Sequence, residues 1–280
     1  MTTQPISLCQ VKEGVSCGAC CGLYNVPAQG KGTLECMLRW RAEEMERTPR
    51  TFAALDAFAE LVLNDVPDRV RPLPAFHHCP FLGLIGEERD RPGCLLHPEA
   101  PGNRGVDYRG LSHYGGAACR LYFCPSHYRL EDRLQRIVLQ SATDWYLYGV
   151  VITEHRLLRA LIQGLEGFLG RPVAAEELSS SRNGPLVREL LALKLSWPYR
   201  RGRASGVCHY VFEDGLYERP EVGCSGLQEG GSRYERIFRE LESSFGSAAE
   251  MLRAEAMLDD LFLRLAAEIR TYSKWDSSSS

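Results

Sequence analysis

Ser16-Cys17-Gly18-Ala19-Cys20-Cys21-Gly22 packs three thiols into five residues, separated only by a glycine and an alanine. The theme returns at Cys79-Pro80-Phe81-Leu82, at Gly93-Cys94, and at Cys119-Arg120-Leu121-Tyr122-Phe123-Cys124. A thiolate is a soft, charged ligand, and four of them at tetrahedral corners suit a zinc ion or an iron–sulfur cluster. The two-residue gap between Cys17 and Cys20 lets both sulfurs fold onto one metal. Cys119 and Cys124 form a wider but still usable chelate. The expectation is therefore that Cys17, Cys20, Cys21, Cys79, Cys94, Cys119 and Cys124 converge on zinc or an iron–sulfur cluster, with the surplus of thiols leaning towards iron.

The count poses a problem. Seven thiols exceed one four-ligand site and fall one short of two. Adjacent side chains such as Cys20 and Cys21 point to opposite faces of an extended chain, so both reach one metal only across a sharp turn. Two metals, a bridging thiolate, or one ligand beside one uncommitted thiol all remain open. A histidine could complete a second site. His77, His78, His97, His113 and His127 lie near the block; His78 and His127 are the better candidates, although a packing or surface role is commoner for any single histidine. Cys208 and Cys224 could form a further pair. Cys36 reads as a small buried apolar residue and Cys9 as uninvolved.

Size and composition set the outer bounds. The 280 residues suffice for one large or two ordinary domains, at roughly 150 residues each. A 44% hydrophobic and 25% charged content is that of a globular protein, and the net charge of −3 supplies no basic field for nucleic acid or anionic lipid. Met1 to Gln10 lacks the pattern of a signal peptide, and no apolar run approaches the ~20 residues that span a bilayer. Eleven cysteines without an export signal point to a reducing, cytoplasmic setting, where clustered thiols bind metal more often than they form disulfides.

Outward from the cysteines, the pattern is mainly helical. A helix is expected from Leu34, carrying Leu34, Met37, Leu38 and Met45 on one face. Pro49 breaks the chain, and Thr51 can cap a second helix bearing Phe52, Leu55, Phe58 and Val62. Residues 76–128 show little periodicity, so something other than a core must hold them, and a metal centre does this well. Helical spacing resumes from Leu130 to Leu169 and stops at Gly170-Arg171-Pro172. Ser179 to Gly184 reads as a linker and Pro185 opens another helix. Tyr199-Arg200-Arg201-Gly202-Arg203 reads as a solvated basic turn, and 207–218 as a β-hairpin. Ser232 with Glu235 and Ser247 with Glu250 are capping-box signatures for two last helices. The fold class is thus mainly α, with irregular Cys-rich loops and a small β-hairpin (α+β). It divides into a metal-organised module over 1–130, a mostly helical region over 131–275, and a tail over 276–280.

The order of these cysteine motifs resembles the YkgJ-like cysteine-cluster family of zinc- or iron-chelating proteins, over roughly residues 10 to 128. The resemblance implies metal or iron–sulfur binding through those cysteines, without a settled reaction. A related group includes flagellin lysine N-methylases, which implies by analogy a protein-modifying enzyme. Two departures stand out. The cysteine expected just before Cys17 is missing, leaving Glu13 or Cys9 to stand in. The connection from Cys94 to Cys119 is long and glycine-rich, and reads equally as a substrate lid or a surface insertion.

Three functions follow as expectations. The first is a metal-binding protein holding zinc or an iron–sulfur cluster. The second is an iron–sulfur oxidoreductase or methylase-like enzyme, with Arg120, Tyr122 and the 102–116 loop flanking a peptide substrate. The third is a zinc-stabilised module that meets a protein or peptide partner. No glycine-rich nucleotide loop is present, and neither nucleic acid nor membrane is expected as a partner.

Overall fold

A computed structural model describes residues 7–67, 70–74, 76–112, 115–180, 182–201, 223–224 and 231–276. The chain is mainly helical with small two-stranded sheets. It divides into two compact units, one comprising 1–127 with 143–150, the other 128–142 with 151–280.

The first unit begins with a short antiparallel pair, β1 (Gln10–Lys12) and β2 (Val15–Ser16). A single 3-10 turn, Ala19–Cys21, follows and carries two of the thiols. Helix α1 (Lys31–Arg47) buries Leu34, Leu38 and Met45 of the expected stripe, with Ala42 in addition and Met37 only half-buried, and lays that face on strand β3 (Leu82–Ile85). Each such buried leucine contributes about 1.5–3 kcal/mol. Helix α2 (Phe52–Asp65) starts where expected, with the Thr51 hydroxyl accepting from the Ala54 amide at 3.3 Å. Its Phe58 stacks on Phe81, with ring centroids 5.8 Å apart.

Strand β3 pairs antiparallel with β4 (Arg91–Cys94), and Leu82 stands opposite Cys94. This hairpin inside the cysteine block has no strong alternating pattern and was not expected. The hairpin expected over 207–218 lies outside the described residues. The rest of the block contains helices α3 (Gly115–Leu121) and α4 (Ser126–Arg129).

Polar side chains staple these irregular loops. Asn25 Nδ2 donates to the carbonyls of Phe76 (2.7 Å) and Leu73 (3.0 Å), while its Oδ1 accepts from the Leu73 amide. Asn103 Nδ2 reaches the Leu95 and His97 carbonyls, and its Oδ1 accepts from Arg50 Nε at 2.6 Å. Loops without a ladder must still satisfy their carbonyls, and buried amides do so here. Part of the organising task expected of a metal is therefore carried by these asparagines. The glycine-rich connection is likewise tied down around residue 108: the Tyr108 amide donates to Leu96 O at 3.1 Å, and Asp107 binds both Arg109 and Arg120 at 2.8 Å.

In the second unit the helical run from Leu130 to Leu169 is broken into α5 (Asp132–Ser141), α6 (Trp145–Ile152) and α7 (His155–Leu169). The first six residues of α6 belong to the first unit. Gly170, at φ +71°, closes α7 as expected. Helix α8 (Ala175–Ser179) precedes the expected linker, meeting it only at Ser179, and α9 (Gly184–Ser196) opens with Pro185 in its first turn. After strand β5 (Gly223–Cys224) come α10 (Glu235–Glu240), strand β6 (Ser244–Phe245), which pairs parallel with β5, and α11 (Ala248–Asp276). Leu258, Leu261, Phe262, Leu265 and Ile269 of α11 are all buried, as their spacing predicts. Trp197 and Phe238 join the core with ring centroids 5.8 Å apart, and Trp197 Nε1 donates to Ser243 Oγ at 2.8 Å.

Of the two capping signatures, Ser247 accepts from the Glu250 amide at 3.2 Å, but the Ser232 hydroxyl donates to Glu255 at 2.5 Å, and α10 begins without its cap. The basic turn is not simply solvated: Arg200 donates to the carbonyls of Lys194 and Leu241.

Candidate metal centre

The seven cysteines expected as ligands all lie in the first unit, and no disulfide links any of the nine cysteines whose side chains are described. The backbone brings remote segments together first. The Cys79 amide donates to the Cys21 carbonyl at 2.9 Å, and the Cys17 amide to the Cys9 carbonyl at 2.9 Å. The β3–β4 register then sets Cys94 opposite Leu82, three residues beyond Cys79.

The sulfurs fall into two neighbourhoods. In the first, the Cys20 thiol hydrogen-bonds to the Cys124 sulfur, with Cys17 within electrostatic reach of Cys20 and Cys9 within electrostatic reach of Cys124. Cys9 Sγ also lies 3.9 Å from His127 Nε2. In the second, Cys21 shares its surroundings chiefly with Cys79, Cys94 and Cys119, and more weakly with Cys9 of the first group. Cys119 is the exposed member, with its sulfur 2.8 Å from Ser112 Oγ.

Burial and mutual repulsion resist ionisation. Burial, then the neighbouring Cys94, pushes Cys79 up to about 12; burial also raises Cys94 and Cys9 to about 11 and Cys21 well above the ordinary thiol range. Cys124 moves the other way, down to about 7, because the Cys20 thiol and the Ser126 and His127 amides donate to its sulfur. Cys20, the donor in that pair, is raised.

A shared local geometry recurs. The sulfur of Cys17 accepts from the Ala19 amide at 3.5 Å, and Cys79, Cys94 and Cys124 accept from the amides of Phe81, Leu96 and Ser126. In each case the donor is two residues on, and each neighbourhood holds two such knuckles. Amides aimed at sulfur favour a thiolate, the form that binds metal. Among the described residues, no three His, Cys, Asp or Glu side chains stand at metal-holding distances. The thiols are neighbours, and their side chains would have to turn inward to coordinate.

The structure reassigns several residues. His78 is buried with both ring nitrogens engaged: Nδ1 with the Gly22 carbonyl at 2.7 Å and Nε2 with the Arg41 guanidinium at 2.8 Å. Burial, followed by the Arg41 charge, lowers His78 to about 3, so it is a neutral strut rather than a ligand. Glu13 binds Arg91 at 2.5 Å and is not a stand-in ligand, whereas Cys9, read as uninvolved, sits among the first group. Cys36 is exposed on α1, not buried. His97 is exposed, while His77 is buried with its ring edge-on to Phe76. His113 and Cys208 lie outside the described residues, as does the side chain of Cys224.

Helix α6 frames the first neighbourhood. Tyr148 is fully buried and donates to the Leu8 carbonyl at 2.9 Å, fixing the backbone beside Cys9. Gly149 admits the Tyr24 ring, whose hydroxyl would lie 2.0 Å from any added Cβ. Among the described residues, no helix is long and apolar enough to cross a membrane. No family model matches the chain, and comparison with curated proteins and with solved structures finds no match either.

Proposed function

We propose that this chain is a metal-binding protein of a reducing, cytoplasmic setting, holding zinc or an iron–sulfur cluster through Cys17, Cys20, Cys21, Cys79, Cys94, Cys119 and Cys124, in the manner of the YkgJ-like family. The observation that carries the reading is the recurrence of amide-to-sulfur knuckles at Cys17, Cys79, Cys94 and Cys124, four segments remote in sequence. Buried thiols held above their ordinary range do not ionise together unless a cation compensates them, and a bound metal supplies that compensation. Zinc there would clamp the loops; a cluster would also pass single electrons. The knuckle amides hold negative charge on sulfur, Arg41 and His78 fix the backbone of Cys79 and Gly22, and Tyr148 holds the chain at Leu8.

A second reading, a zinc-stabilised interaction module, draws on the exposed Leu121, Tyr122 and Phe123 between Cys119 and Cys124, which would meet a protein or peptide. The test of the first reading is metal and sulfide analysis of anaerobically purified protein. Brown protein with iron and acid-labile sulfide supports a cluster, and colourless protein with stoichiometric zinc supports the clamp. Protein free of both metals, and unable to take them up when reduced, refutes the reading.

A further inference from the structure

Sequence spacing leaves seven thiols, one short of two complete all-cysteine sites. The fold supplies the eighth. The strand pair β1–β2 turns the chain back so that the Cys17 amide meets the Cys9 carbonyl at 2.9 Å. Tyr148 anchors Leu8 from the other side at 2.9 Å. The Cys9 sulfur then lies 3.9 Å from His127 Nε2, three residues beyond Cys124, whose carbonyl accepts from the His127 amide.

The vicinal pair solves its own geometric problem. Cys20 and Cys21 end a 3-10 turn, in which successive side chains point about 120° apart. Gly22, at φ +74°, closes that turn with its amide on the Ala19 carbonyl at 2.8 Å. One thiol therefore faces Cys124 and the other faces the segment carrying Cys79.

We propose that the chain holds two separate four-thiolate centres, one formed by Cys9, Cys17, Cys20 and Cys124 and the other by Cys21, Cys79, Cys94 and Cys119, with the Cys20–Cys21 peptide as the bridge between them. The proposal rests on the metal-binding reading above and adds the number of centres, the partition of ligands and the place of Cys9. Each centre takes two knuckle cysteines and two others, and each closes one long loop of the chain. His127 stands beside Cys9 as a neighbour rather than a ligand, because four sulfurs complete the first site without it.

Cadmium-113 spectroscopy of the reduced full chain loaded with cadmium tests this without any variant. Two resonances in the all-sulfur range are expected, at about two ions per chain; a single resonance at one ion per chain overturns the proposal while leaving metal binding intact. A chain that takes up no metal overturns both. Single variants then test the partition. Cys9→Ser is expected to lose about half of the bound metal and one resonance, and Cys79→Ser to lose the other resonance, whereas Cys36→Ser keeps both. Full metal content in Cys9→Ser, or loss of the same resonance in both variants, refutes the assignment.

Discussion

The amide of Cys79 donates to the carbonyl of Cys21 at 2.9 Å, across 58 residues of sequence. One backbone hydrogen bond thus joins the vicinal-thiol turn to the second cysteine block, and the residues around it are built to keep it. Gly22 lies against the His77 carbonyl, which a Cβ on Gly22 would approach to 2.1 Å. His78 holds the Gly22 carbonyl from its other face.

Gly22→Ala should therefore be severe. The left-handed backbone and a clash with a main-chain oxygen that cannot rotate away together predict a loss of about 2–4 kcal/mol, with reduced metal uptake. Urea unfolding and metal analysis of the variant check this; a change under about 0.5 kcal/mol would show that the loop yields easily.

Arg41 is buried in α1, with Nη2 on His78 Nε2 at 2.8 Å and Nη1 on the Cys79 carbonyl at 3.4 Å. Arg41→Ala removes packing and leaves His78 with one nitrogen unsatisfied, for an expected loss of about 2–4 kcal/mol. Because His78 is a strut and not a ligand, His78→Gln should keep the metal content of the parent. Metal loss in proportion to substitution at His78 would restore it to the ligand set.

A pH effect is expected in the second unit. Glu154 and Lys194 are both fully buried, with Nζ 3.2 Å from Oε1, and Glu240 and Glu242 add negative charge nearby. Burial raises Glu154 to about 7 from 4.5, against the opposing pull of Lys194. A folded value above the unfolded one means the folded state holds its proton longer, so stability is full below about 4.5 and falls as pH rises to about 7. The fall should reach about 3 kcal/mol at most, reduced by coupling to Lys194. Glu154→Gln should flatten this slope, read from hydrogen exchange of the α9 amides; an unchanged slope assigns it to another group.

Metal removal should act on one unit only. The cysteine loops belong to the first unit, so chelation under reducing conditions is expected to speed proteolysis within residues 98–122 by about tenfold or more. Helices α7, α9 and α11 should resist as before. Equal protection of both units with and without chelator would show that asparagine staples alone suffice.

The mainly helical character, the Thr51 cap, the Gly170 stop, Pro185 in the first turn of α9 and the buried stripe of α11 all follow from local chemistry, which reads the same in any surroundings. Four things only the tertiary structure decided: that Cys9 joins the thiols, that Cys20 and Cys21 face different partners, that both nitrogens of His78 are taken, and that Cys36 faces solvent. Spacing along a chain limits which ligands can reach one another. Which ones do is set by long-range hydrogen bonds such as that of Cys79 to Cys21, formed between groups that every residue carries and that therefore leave no mark in the sequence.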